Sequence, residues 1–145
     1  MVPNSDYLAL IQGVISRMAN NAFLIKGWSI TLTAALLAVV GSLSSSGSLD
    51  KNLFFIVNSA CLLGFIWLDA YFYYNEKKYR ELYDYARDMS RFKIEDLYNL
   101  NANLVIPEAN DTNIKVRLGA IKSTAVYPVY LMQLILIFVI YIIAL

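Results

Sequence analysis

Asp69 stands in the stretch "FIWLDAYFYYNEKKYRELYDYARDMSR" (65–91), where an apolar aromatic run passes into charged sequence without a Gly or Pro. An acid in such a run is rare and costly, and it ordinarily faces a helix-bundle interior or a watery cavity. Asn58, Leu62, Phe65 and Asp69 follow four-three-four spacing, so on a helix they share one face. Two readings stand for that face. It lines a pore with an acidic inner ring that favours cations. Alternatively Asp69 pairs with Lys26, which enters a neighbouring antiparallel run at similar depth, and the two neutralise each other. Ser29, Thr31, Thr33 and Gln133 are the remaining polar groups of the apolar runs. They suit hydrogen bonds between helices, or bonds from a hydroxyl back to its own helix.

A second constellation lies in 75–126, which holds nine of the twelve basic residues. Lys77, Lys78, Arg80, Arg87, Arg91, Lys115 and Arg117 are interleaved with tyrosines, Tyr83 among them, and form a candidate ligand-binding set. Rings that stack bases beside arginines that hold phosphates are the composition of a nucleotide or single-strand surface. The competing account is topological, with cations holding the segment inside and touching anionic lipid. Eight acids share the segment and dilute the basic signal.

Catalysis has little to work with. There is no histidine, and Cys61 is the single cysteine, inside an apolar run. Histidine-based nucleophile systems, histidine or cysteine metal sites and disulfides are therefore out of reach. No phosphate-cradling glycine loop or metal-binding motif occurs, and Glu95–Asp96 suits a cap or turn better than an acid–base pair. The expectation is a protein that is not an enzyme and uses no cofactor.

The elements that must position these residues follow from hydropathy. The chain of 145 residues is 59% hydrophobic and 16% charged, too greasy for a soluble domain. The expected fold is an all-α membrane protein, a homo-oligomer in contact with lipid. An amphipathic cytoplasmic or interfacial helix occupies 1–26, with Leu8, Ile11, Ile15, Met18, Ala22 and Ile25 on its apolar face and Asn4 or Ser5 as N-cap. A transmembrane hairpin covers 23–74, its spans at about 23–43 and 53–74 joined by a Ser-rich turn. Ala34, Ala38 and Gly41 make a small-residue stripe on the first span.

A cytoplasmic helix and loop region fills 75–126. The second span continues into it as helix to about Arg91, followed by loop, with a short helix at 94–100. "NIKVRLGAI" alternates apolar and basic residues and reads as a short strand, or as a helix entering the third span at 127–145. The basic excess puts 75–126 and the N-terminus in the cytoplasm and the C-terminus outside. No basic start precedes the first apolar run, so that span is expected to be retained.

"YLALIQGVISRMANNAFLIKGWSITLTAALLA", "WLDAYFYYNEKKYRELYDYAR" and "STAVYPVYLMQL" together resemble a group of small bacterial inner-membrane proteins that accompany anti-phage defence genes. The similarity spans most of the chain outside 92–120. The nearest type is the Hailong membrane effector, an oligomeric channel held shut by a nucleic-acid oligomer that a partner nucleotidyltransferase makes. The resemblance implies an inner-membrane effector with a periplasmic C-terminus, whose action depolarises the membrane and arrests growth. It carries over no ligand residue. Two other readings compete: a non-conducting membrane anchor or adaptor for a soluble partner, and a ligand-free, holin-like toxin.

Overall fold

The computed structural model describes residues 5–44, 50–88, 90–105 and 114–143, without the side chains of 41–44, 51 and 114–117. Among the described residues every regular element is helical. Four α-helices run in the order α1 (Ser5–Ser44), α2 (Lys51–Arg87), α3 (Ile114–Ile121) and α4 (Tyr127–Ile143). Two short 3-10 turns, Ile94–Asp96 and Ala102–Leu104, lie between α2 and α3.

α1 has 40 residues and so is about 60 Å long. The expected amphipathic helix and first span are one element, because nothing between Ser5 and Ser44 breaks a helix. α2 is capped by Asp50, whose carboxylate accepts the N–H groups of Asn52 and Leu53 at 3.0 and 3.2 Å. It ends at Arg87, short of the expected Arg91. There Asp88 leaves the helical conformation and takes hydrogen bonds from the Ser90 N–H and hydroxyl, at 3.0 and 2.6 Å. An aspartate that bonds two residues ahead offers the backbone an alternative to another helical turn.

α1 and α2 pack antiparallel, from the cluster that joins Tyr7 and Ala86 to the Lys26–Asp69 pair, and divide into two zones. In the charged zone Tyr7, Ile11 and Ile15 of α1 meet Leu82 and Ala86 of α2, and Ala102 closes the cluster. In the apolar zone the two helices are long and apolar enough to cross a membrane, yet only 17% and 22% of their most apolar windows are buried. The core helix of a soluble protein would be mostly buried. Phe23, Trp28, Leu53 and Leu63 are among the large side chains left on the surface.

α4 lies antiparallel to α2. Its Tyr130 and Ile137 pack with Leu62, while Tyr141 reaches Asn52 at the far end with a 3.0 Å hydrogen bond. Its 17 residues cover about 25 Å. α3 crosses α2 where Ala120 meets Ala70 and Tyr74. This corrects the expected strand at "NIKVRLGAI". Three alternating residues fit either period, and no neighbouring strand exists among the described residues to take up a ladder. The expected short helix at 94–100 is a single 3-10 turn at 94–96. Asn4, Met89, the Ser-rich turn at 45–49 and the loop at 106–113 fall outside the described residues.

Candidate functional site

Five polar side chains of the apolar zone, with Tyr130, gather where α1, α2 and α4 meet: Lys26, Asp69, Ser29, Thr33 and Gln133. Lys26 Nζ donates to Asp69 Oδ1 at 2.8 Å. Oδ2 is equally near but at an angle that makes no hydrogen bond. Asp69 is fully buried, and the Lys26 side chain keeps 20% of its surface. The Ser29 hydroxyl donates to the Lys26 carbonyl at 2.8 Å and accepts the Gln133 amide N–H at 3.1 Å. Gln133 Oε1 accepts the Thr33 hydroxyl at 3.0 Å. Tyr130 stands beside both Asp69 and Ser29 and directs its hydroxyl toward the Phe65 carbonyl, 3.5 Å away.

Helix periodicity brings this about. Lys26, Ser29 and Thr33 follow three- and four-residue steps on α1, as Tyr130 and Gln133 do on α4. Thr31 lies off that face and bonds back to the Gly27 carbonyl at 3.0 Å. Asn58 is buried too, but it sits three helical turns from Asp69 and bonds to the Phe54 carbonyl of its own helix at 3.1 Å. The Asn58–Leu62–Phe65–Asp69 face therefore turns inward within one chain, with Leu62 and Phe65 against α4. Tyr130 is the member that sequence reasoning missed. Its three-residue spacing to Gln133 was the available signal.

The candidate ligand-binding set is not gathered in the same way. Lys77 is exposed, whereas Lys78 is buried with its ammonium 5.1 Å from the Tyr74 ring centroid. Arg80 is engaged by Glu76 at 2.6 and 2.9 Å, and Arg87 stands 3.6 Å from Asp84. Tyr83 packs on the α1–α2 core, and Arg91 is exposed in the turn beyond α2. Lys77 and Arg87 are about 15 Å apart along the axis. The side chains of Lys115 and Arg117 fall outside the described residues.

The distal end of the charged zone is built from aromatics. Tyr7 is fully buried, donates to the Asn99 carbonyl at 2.7 Å and contacts Phe92 and Tyr98. Tyr98 holds φ at 64°, an uncommon conformation for a bulky residue. The Tyr85 hydroxyl donates to Asp96 Oδ2 at 2.6 Å. That hydrogen bond to a carboxylate, with some desolvation, raises the Tyr85 phenol above its ordinary value. Burial first, then the nearby Asp96 charge, raises Tyr7. The Ser90 hydrogen bonds hold Asp88 below the usual carboxylate range.

Among the described residues no three acid, cysteine or histidine side chains gather as metal ligands. Apolar grooves mark the surface among the described residues. One of about 210 Å³ is lined by Ile66, Ile121 and Tyr127 with neighbours on α4, and one of about 350 Å³ by Phe23, Leu24, Gly27, Trp28 and Thr31. No family model matches the chain, and neither curated proteins nor solved structures match it significantly.

Proposed function

We propose that the chain is a homo-oligomeric effector of bacterial anti-phage defence in the inner membrane. In this reading it forms an ion channel that an anionic cytoplasmic ligand, a nucleotide or oligonucleotide, controls. The N-terminus and the charged zone are cytoplasmic, the C-terminus is periplasmic, and α4 is the third span. The observation that carries the reading is the continuity of α1 and α2 from a buried charged cluster to a water-facing zone about 20 Å beyond Tyr74. A charge pair in lipid is costly, so groups there ordinarily serve transport or hold helices together. Rigid helices that connect such a pair to a soluble end can pass a binding event inward as tilt or rotation, given two states and a ligand that prefers one.

The sealing of Asp69 by Lys26 within a single chain favours a second reading, the non-conducting anchor or adaptor. The two separate in planar bilayers. The channel reading expects current from purified protein that changes when cytoplasmic oligonucleotide is added or removed, and altered gating in Arg87→Gln or Arg91→Gln. Silence in every condition, with a soluble protein co-purifying, assigns the anchor.

A further inference from the structure

We propose that the Lys26 ammonium is a tethered cation filling an oxygen-lined site for a monovalent metal ion, Na⁺ or K⁺, centred on the Asp69 carboxylate. The inference deepens the channel reading, on which its physiological meaning rests, by naming the ion class and the group that blocks it. The lining comes first. Both Asp69 oxygens lie 2.8 Å from Nζ, the Tyr130 hydroxyl stands beside the carboxylate, and the Ser29 hydroxyl lies next to Tyr130 and bonds the Lys26 carbonyl. Apart from the ammonium, the polar side-chain atoms that meet Asp69 are oxygens, the ligands that alkali cations take from proteins, and the Gln133 amide nitrogen is one residue further out, on Ser29.

Charge then fixes the class. One carboxylate balances one positive charge. Asp69 is the one acid in the apolar runs of the sequence, whereas calcium sites usually draw on several carboxylates. Mobility assigns the roles. Asp69 and Ser29 are fully buried, and Tyr130 and Gln133 nearly so, while Lys26 alone keeps a partly open side chain. Its long stem can carry the ammonium toward water while the carboxylate stays behind. A carboxylate left alone in an apolar surrounding is strongly unfavourable and must regain a cation or take a proton.

The test uses full-length Lys26→Met in detergent, with thermal unfolding followed in NaCl, KCl and N-methylglucamine chloride at equal ionic strength. The expected result is a midpoint about 4 °C or more higher in Na⁺ or K⁺ than in the bulky cation. The wild type should show no such difference, and Lys26→Met/Asp69→Asn should lose it. Equal midpoints in the three salts overturn the proposal. So does stabilisation of Lys26→Met by acid alone, which makes the proton the replacement.

Lys26→Gln serves as the second variant if the Met protein is poorly recovered. Recovery of the double variant but of neither single one in any salt overturns the proposal, as does failure of all three, since the site then needs the lysine itself. Bilayer current is read separately. A cation-dependent shift without current supports the site and sinks the channel, and current without the shift does the reverse.

Discussion

Gln133 uses both ends of its amide on α1, and Leu of similar size supplies neither bond. Gln133→Leu leaves the Thr33 hydroxyl without its acceptor and is expected to cost about 1–2 kcal/mol, read as a lower unfolding midpoint in detergent. The opposite sign is expected at Tyr74, whose buried hydroxyl has no hydrogen-bond partner among the described residues. Tyr74→Phe removes a group that lost its water and gained nothing, so stability should hold or rise by about 1 kcal/mol. Tyr85 supplies the pH dependence. Its phenol is raised by Asp96, so the stabilisation is complete below the unfolded tyrosine value near 10 and is lost as pH rises through the folded value. Alkaline titration should loosen the 85–96 contact, and Tyr85→Phe should abolish that step, as followed by tyrosinate absorbance. In the sequence the depth match of Lys26 and Asp69 was legible because Lys26 stands near the start of the first apolar run and Asp69 near the end of the second, which runs antiparallel to it. The Ser29–Gln133–Thr33 linkage was not, since which hydroxyl bonds across and which bonds back depends on how α4 is rotated.

At the scale of elements, the unusual feature is that α1 does not stop where its composition changes. Asn20 is exposed at that change, so replacing it removes no packing. Asn20→Pro should cost about 3 kcal/mol or more by deleting a backbone hydrogen bond and kinking the helix. In the channel reading it should also uncouple the two zones. Current should then become independent of the cytoplasmic oligonucleotide, and equal ligand sensitivity in variant and wild type counts against transmission through α1. The apolar runs and their 3.6-residue period made the long helices visible in the sequence. The missing boundary near residue 23 was hidden because hydropathy shifts there while helix propensity does not. α3 was misread for the converse reason. Eight residues with Gly119 near the end carry too little period, and the face that meets α2 is set by Ala120, too small to register as a core residue.

For the whole molecule the question is what covers the outside of the apolar zone. Within one chain α4 fills the groove of the α1–α2 hairpin and the polar groups point into that junction, so conduction requires several copies arranged around a shared axis. Lipid covers any apolar face, but it gives no reason for a glycine. A Cβ built on Gly27 meets nothing within 4 Å, and a helix-interior glycine costs about 1 kcal/mol relative to alanine. Gly27 lies on the same exposed side of α1 as Thr31, Ala34 and Ala38, small residues that allow another helix to approach closely. Gly27→Leu should therefore leave the helix content and midpoint of the single chain unchanged or slightly higher while lowering the assembled mass in detergent. The same purification, read at 260 and 280 nm, tests the ligand. Nucleic-acid absorbance with an oligomeric mass favours the gated assembly, and its retention by Gly27→Leu would place ligand binding within a chain rather than between copies. A wild-type monomer without that absorbance removes the ligand-held oligomer and leaves the anchor, for which Gly27→Leu should change nothing.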